Sequence, residues 1–233
     1  MPVVGAFFKF RIDPEDNDKA DAIMQEFFDA VAIEEYPSGD VTTYSVYRDK
    51  STPGQWWLFK LYTEKGSVGH PVGSLIHKPG MALQALMLEP FERTLLDPVI
   101  VHGCGTRIPG APPPPERDKK TDVGAIYTFK VAPENDEEME RIMRDIFDAM
   151  AEEEYPTGNV IAYTLFRDPS EVGKWAMFEH FTAKGAADHA KGPKIFKFGS
   201  EHLTYLVEPN FRVELDPVIV HGCGEPIPGL PAA

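Results

Sequence analysis

The ten residues LDPVIVHGCG occupy positions 96–105 and occur again, without a change, at positions 215–224. The two occurrences are 119 residues apart, and a shift of that size lays one half of the chain on the other without a gap. Roughly 45% of the overlapped positions are identical, which is the signature of an internal repeat. The sequence therefore predicts two copies of one domain.

The repeat also sets the domain boundaries. We predict a first domain at residues 1–108, a linker at 109–120 and a second domain at 121–233. The linker contains four consecutive prolines, a run that favours extended polyproline structure and makes a semi-rigid spacer. Each domain, at about 110 residues, is long enough to bury its own core.

Each copy is predicted to contain a strand, a helix, two strands, short helices and a strand. In the second copy, apolar residues between Met139 and Met150 recur at helical spacing, and Asn135 is the predicted cap of that helix. Predicted strands cover 125–131, 159–166, 175–181 and 203–207, a trailing strand covers 218–221, and helical segments cover 182–190 and 193–198. This order predicts the fold class α+β, with helices on one face of an antiparallel sheet.

The helix-free face of such a sheet needs a cover. Strand segments such as Trp175-Ala176-Met177-Phe178 are apolar on both sides, which indicates that both faces of the sheet are buried. The simplest cover for one sheet is its twin. We therefore expect the two copies to close into a barrel-like body with pseudo-twofold symmetry.

The composition of the chain argues against some classes of partner. The formal net charge is −14, and so acidic a surface repels phosphate backbones, so no nucleic-acid partner is expected. No apolar run approaches the roughly 18 residues of a membrane helix, and the start of the chain lacks the pattern of a secretory signal. We expect a cytoplasmic protein without a membrane partner. Pairing of whole chains into a homodimer is left open.

The second copy resembles the antibiotic biosynthesis monooxygenase family. The resemblance rests on Phe178-Glu179-His180-Phe181, then Ala187 and His189, then Lys194-Ile195-Phe196, together with the turn at Glu154–Gly158. It implies ferredoxin-like domains that pair into a dimeric α/β barrel, with small apolar pockets between sheet and helices. Members of that family include cofactor-free monooxygenases of phenolic or quinol substrates, haem degraders and proteins without demonstrated activity.

The haem-degrading branch of that family uses an asparagine on its first strand and a tryptophan on a helix. The first strands predicted here, Ala6–Ile12 and Ala125–Val131, contain no asparagine, and His70 or His189 stands where the tryptophan would be. Haem degradation is therefore not expected, and we expect no cofactor.

His189 is the candidate catalytic base. Cofactor-free oxygenation needs a deprotonated, electron-rich substrate, and a histidine beside a dry aromatic pocket can take that proton. Glu179, on the preceding strand, is the candidate that would orient it. The alternatives are a histidine that bonds locally at the surface and a structural carboxylate paired with an arginine such as Arg167.

Aromatic and apolar residues on the predicted strands are candidates for contacts with a substrate. Ordinary core packing is the alternative for each of them. The substrate-binding candidates are Tyr163, Trp175, Met177 and Phe178 in the second copy, and Tyr44, Trp56 and His70 in the first.

The repeated His-Gly-Cys segment admits several interpretations. Spacing i, i+2 on a strand would point the histidine and the cysteine to the same face, so His102, Cys104, His221 and Cys223 together match the ligand types of a zinc site. The cysteines lack the usual Cys-x-x-Cys spacing, and a disulfide between them is disfavoured in a reducing cytoplasm. The remaining alternative is a strand that ends with a small buried cysteine. We predict no metal.

The function hypotheses come from different classes. The first is a cofactor-independent monooxygenase-like enzyme that acts on a small phenolic, quinol or aromatic polyketide substrate. The second is a non-enzymatic, ligand-binding or stress-related barrel that takes a small aromatic or apolar molecule. A lyase or isomerase is a third, because fold does not fix function.

The two copies are not expected to be equal. Around His189 the second copy has alanines, whereas glycines and Pro71 surround His70, so the second copy is predicted to hold the better site. The alternative is that the glycines of the first copy make room for a bulkier ligand.

Overall fold

The computed structural model describes residues 3–69, 74–224 and 227. The first repeat contains β1 (Val3–Arg11), α1 (Asn17–Glu34), β2 (Val41–Asp49), β3 (Gln55–Thr63), α2 (Glu64–Gly69), α3 (Ser74–Gln84) and β4 (Glu92–His102). The second contains β5 (Val123–Lys130), α4 (Asp136–Glu153), β6 (Val160–Arg167), β7 (Lys174–Phe181), α5 (Ala183–Asp188), α6 (Pro193–Leu203) and β8 (Phe211–His221). Within these residues, no helix is both long and apolar enough to cross a membrane.

The strands close into one antiparallel barrel in the order β1-β3-β2-β8-β5-β7-β6-β4. The two halves join where β8 pairs with β2 and β4 pairs with β6, so the last strand of each repeat also extends the sheet of the other repeat. This architecture confirms the predicted fold class, two tandem ferredoxin-like domains that pair into a pseudo-twofold α/β barrel.

Strand β3 shows why the strands are apolar on both sides, since all nine of its residues are buried. Phe59 and Leu61 point into the barrel, where the Phe59 ring stacks on that of its twin Phe178 with centroids 4.3 Å apart. Leu58 and Tyr62 point outward and pack under helices α1 and α3. One face therefore fills the barrel, and the other forms the layer between sheet and helices.

The prediction of a strand at 203–207 is wrong. Leu203 ends helix α6, and turns follow it, with Leu206 making an isolated bridge to Val131. The fourth strand is the whole of Phe211–His221, which absorbs the predicted trailing strand. Pro217 lies within that run, at an irregularity of the β2–β8 ladder, where a proline is tolerated.

Because the last strand of each repeat pairs with a strand of the other repeat, a single repeat should not be stable as a monomer. Residues 121–233 alone would expose the interior residues Phe178, Val213 and Leu215, which are now covered by the first repeat. We expect this fragment to form a dimer or to be insoluble. Light scattering of the purified fragment is the measurement. A soluble, folded monomer would contradict the claim that each repeat covers the sheet of the other.

Candidate functional site

A cavity of about 400 Å³ lies in the first repeat, between the outer face of its sheet and helices α1 and α3. Its volume falls in the range of small-molecule sites. Its wall is mostly apolar and aromatic, and the polar groups among its lining are few. The lining residues are Phe8, Phe10, Met24, Phe27, Tyr44, Leu58, Lys60, Tyr62, Ile76, His77, Gly80, Met81, Leu83, Gln84, Met87, Phe91 and Arg93.

Lys60 places a primary amine in this wall. It lies on β3 between Leu58 and Tyr62 on the outward face, and only 5% of it is exposed. Its Nζ lies 4.7 Å from the ring centroid of Phe8 and 4.3 Å from that of Tyr44. Such a position is costly for an ammonium ion, because burial removes its hydration.

The pKa of Lys60 is lowered to about 7, chiefly by burial. The negative charge of Glu35 opposes this shift, and the positive charge of Arg93 adds to it. The ring faces of Phe8 and Tyr44 attract a cation, but such contacts contribute about 2 kcal/mol or somewhat more, which is less than the desolvation of a buried ammonium. Near neutral pH the amine is therefore present in both forms, so it can accept a proton.

Among the other polar residues of the lining, which include His77 and Gln84, Arg93 and two tyrosines complement this amine. Arg93 is exposed and holds its guanidinium 5.6 Å from the Phe8 ring, so it brings a permanent positive charge to the cavity edge. Burial raises the pKa of the Tyr44 and Tyr62 phenols well above the usual value, so both stay protonated. Cationic groups and a phenol donor suit a ligand that carries an oxyanion on an aromatic frame.

The second repeat has a hydrogen-bonded group at the matching place. Tyr127 donates to His202 Nε2 at 2.8 Å and accepts from Asn210 Nδ2 at 2.6 Å, while His202 Nδ1 donates to the Gly199 carbonyl at 2.6 Å. Burial lowers the pKa of His202, which favours this neutral tautomer. The twins of Tyr127, His202 and Asn210 are Phe8, Leu83 and Phe91, and all three line the cavity of the first repeat.

His189 does not lie within a helix. Helix α5 ends at Asp188, His189 lies in the turn that follows, with φ −55° and ψ 141°, and Ala190 has a left-handed φ of 60°. The His189 Nδ1 donates to Glu154 Oε2 at 3.0 Å, and the Ala190 N–H donates to Glu154 Oε1 at 2.9 Å. Glu154 therefore clamps this turn, and the His189 ring packs on Phe181 with centroids 4.7 Å apart.

The pKa of His189 is raised overall. Burial lowers it, but the hydrogen bond to Glu154 and the charges of Glu179 and Glu154 raise it by more. A histidine held as an ion pair keeps its proton, which suits a structural clamp better than a base. The predicted orienting residue, Glu179, is not the hydrogen-bond partner of His189; its nearest described cation is Arg212, with Nη2 3.5 Å from Oε2.

Other substrate-binding candidates of the second repeat lie on different faces. Tyr163 lies beside His189, with ring centroids 5.9 Å apart. Met177 and Trp175 are buried in the core between sheet and helices, where the Trp175 ring stacks on Phe129. Phe178 is separated from all of these, because it points into the barrel interior.

In the first repeat, the structure places Tyr44 in the cavity wall and Trp56 outside it. Trp56 is fully buried, stacks on Phe10 and donates through Nε1 to Asn17 Oδ1 at 3.2 Å. His70 lies outside the described residues. Sequence reasoning missed Lys60 as a functional candidate, although a lysine inside the otherwise apolar strand QWWLFKLYT is the signal that indicates it.

The expectation that histidine and cysteine share a face in the His-Gly-Cys segments is wrong. Gly103 and Gly222 have φ values of 82° and 81°, so the strand alternation breaks between the two side chains. His102 and His221 turn to the helix side and bond Tyr155 and Tyr36, at 3.0 Å and 2.8 Å, respectively. The cysteines join the barrel core instead. Within the described ranges, no cluster of three or more His, Cys, Asp or Glu side chains could hold a metal ion.

Comparison with known proteins adds evidence on the fold. No protein-family model matches the chain, and no curated protein matches it. A protein of Fusobacterium nucleatum subsp. nucleatum, described as a "putative monooxygenase", is 13% identical with a TM-score of 0.78, over 96% of each chain. One from Lactobacillus acidophilus with the same description is 10% identical with a TM-score of 0.78, over 96% of this chain and 98% of that one.

A third solved structure is that of an anthrone oxidase-like protein. It is 10% identical with a TM-score of 0.57, over 99% of this chain and 97% of that one. At these identities, the similarity shows a shared fold along nearly the whole chain.

Proposed function

We propose that this protein is a cofactor-independent, monooxygenase-like enzyme that oxidises a small phenolic, quinol or aromatic polyketide molecule in the cavity of its first repeat. The observation that carries the proposal is the placement of the Lys60 amine in an aromatic, largely apolar cavity. The fold shared with the proteins described as monooxygenases supports the reaction class, and the anthrone oxidase-like neighbour supports a polycyclic phenolic substrate.

In the proposed reaction, Lys60 acts as the general base. The neutral amine takes a proton from a phenol or from an acidic CH₂ group, and the anion that forms is delocalised over the aromatic rings. Arg93 and the phenol of Tyr62 stabilise the anionic oxygen of this form. The apolar wall excludes water, so the electron-rich anion meets dissolved oxygen in a dry site.

The oxidation balances without a cofactor. The substrate anion passes one electron to O₂, and the resulting radical and superoxide combine at carbon to give a peroxide. The Lys60 ammonium returns its proton to the peroxide, which loses water and leaves a ketone. For an anthrone, one CH₂ group and one O₂ are consumed, and one C=O group and one H₂O are formed.

Oxygen uptake tests this proposal. We would measure uptake by the full chain with 1,8-dihydroxyanthrone and with tert-butylhydroquinone, each corrected for the rate without protein. With ¹⁸O₂, the proposal expects one labelled oxygen in the anthraquinone formed from the anthrone. Tight binding of the same compounds without uptake above the background would contradict the enzyme and favour the ligand-binding alternative.

The pH dependence of kcat/KM follows from the state of Lys60. Because its pKa is about 7 and the base must be neutral, kcat/KM should rise about tenfold per pH unit below pH 7 and level off above it. Initial rates between pH 5.5 and 9 measure this profile. The inflection should persist in His189→Ala and disappear in Lys60→Met. The reverse pattern would assign the base to His189.

A further inference from the structure

Strands β4 and β8, each of which pairs with a strand of the other repeat, end next to each other on the pseudo-twofold axis. Directly after them, Cys104 and Cys223 form an isolated antiparallel bridge. On one side of the bridge, the Gly105 N–H donates to the Gly222 carbonyl at 2.7 Å, and on the other, the Gly224 N–H donates to the Gly103 carbonyl at 2.9 Å. The backbones of the two repeats are therefore joined on both sides of the cysteines.

This hydrogen-bond pattern fixes the type of pairing. The flanking glycines exchange the bonds and the cysteines do not, so the cysteines are a non-hydrogen-bonded pair, whose Cα atoms lie about 4.5 Å apart. That separation falls within the range spanned by disulfides. The two Sγ atoms lie 2.8 Å apart, and both cysteines are free thiols.

The surrounding backbone holds the pair in place. A Cβ on Gly103 would lie 2.1 Å from the Ile161 carbonyl oxygen, and one on Gly222 would lie 2.3 Å from that of Thr42. Each glycine is thus packed against a strand of the opposite repeat. Cys104 and Cys223 are 2% and 0% exposed, so the thiols have little freedom to move apart.

We propose that Cys104 and Cys223 are an oxidative modification site, at which a peroxide forms an intrachain disulfide that locks the two repeats together. One thiolate attacks a peroxide oxygen, which gives a sulfenic acid and one water molecule when the peroxide is H₂O₂. The second thiol then displaces the sulfenic oxygen, which forms the S–S bond and a second water molecule. Two thiols are oxidised and one H₂O₂ is reduced.

The environment makes this a slow structural cross-link. Burial is the main cause that raises the pKa of Cys104 well above its usual value, so little thiolate is present at neutral pH. Reaction therefore depends on a small oxidant and on rare deprotonation. The product closes a loop of 119 residues, and loops of this length gain much stability from a cross-link.

The test uses the full, reduced chain treated with excess H₂O₂ and then denatured in iodoacetamide. We expect a cross-linked Cys104–Cys223 peptide that is two hydrogen atoms lighter than the reduced pair, no alkylated cysteine, monomeric migration on a non-reducing gel, and an unfolding midpoint raised by about 10 °C. Dithiothreitol should reverse all four changes. Cys104→Ser and Cys223→Ser are matched controls, and each should keep its midpoint after peroxide.

Three results would overturn the proposal. In the first, both thiols of the native chain are alkylated after peroxide, whereas the same chain oxidised in urea forms the disulfide. This would show that the native pair does not react. Oxygen atoms added to Cys104 or Cys223, located by peptide mass mapping, would show oxidation of the cysteines without cross-linking. A covalent dimer would show that the thiols react between chains. If one serine variant does not fold, the other variant and the native mass measurement still decide the matter.

Discussion

Lys60→Met should strongly slow turnover and at the same time make the protein harder to unfold. A positioned general base contributes about 10²- to 10⁴-fold to a rate, so kcat should fall by that factor. Methionine fills a similar volume without a charge, so the fold should persist. A pure structural role for Lys60 would not predict a gain in stability together with a loss of activity.

The gain in stability follows from the linkage between folding and proton binding by Lys60. The pKa of Lys60 falls from 10.5 to about 7 on folding, and each pKa unit corresponds to about 1.4 kcal/mol, so the buried lysine costs up to about 5 kcal/mol at pH 7. The unfolded chain binds the extra proton between pH 7 and 10.5, so wild-type stability rises with pH through that window. Lys60→Met removes this rise, which denaturant unfolding at pH 7 and pH 9.5 measures.

Lys78→Met is the matched control for this experiment. Lys78 is exposed on helix α3 and does not line the cavity, so neither kcat nor stability should change appreciably. Activity that survives in Lys60→Met, or a loss of activity in His189→Ala at unchanged fold, would contradict the assignment of Lys60 as the base.

Gly80→Leu should abolish binding of the aromatic substrate. Gly80 lies on helix α3 in the cavity wall, and a Cβ there would meet Phe27 Cε2 at 3.7 Å, an ordinary contact. The added leucine side chain would extend into the space that the ligand needs. Because leucine favours helix over glycine by about 0.8 kcal/mol, the variant should fold at least as well as wild type.

Gly199→Leu is the control, since Gly199 is the twin of Gly80 on helix α6, and a Cβ there meets nothing within 4 Å. It should gain the same helix propensity and keep its affinity. Fluorescence titration with 1,8-dihydroxyanthraquinone, a product analogue that cannot be oxidised further at the same carbon, compares the two variants. Equal affinity in both, or loss only in Gly199→Leu, would place the ligand outside the cavity of the first repeat.

The repeat explains why the fold could be predicted. A gapless shift requires that both halves fold alike, and strands such as β3, apolar at every position but Lys60 and the terminal Gln55 and Thr63, require cover on both faces. Only pairing of the two sheets supplies that cover. The last strand of the second repeat was harder to predict, because the ladder irregularity that accommodates Pro217 forms only against β2 of the other repeat.

The cavity could not be predicted from the sequence of any single strand. The contrast between Lys60 and Glu179 is visible in the sequence, but it does not show by itself that Lys60 lines a cavity. The cavity lining of the first repeat includes Phe8, Leu83 and Phe91, whose twins are joined by hydrogen bonds in the second repeat. Phe8 lies on β1, Leu83 on α3 and Phe91 just before β4, so their proximity emerges only from the packing of helix on sheet.

The most direct measurement is a crystal structure of the full chain with 1,8-dihydroxyanthraquinone bound. We predict that the ligand occupies the cavity of the first repeat, between Phe8, Tyr62 and helix α3, with an oxygen within hydrogen-bond distance of Lys60 Nζ. A ligand seated instead beside His189 and Tyr163 in the second repeat would contradict it.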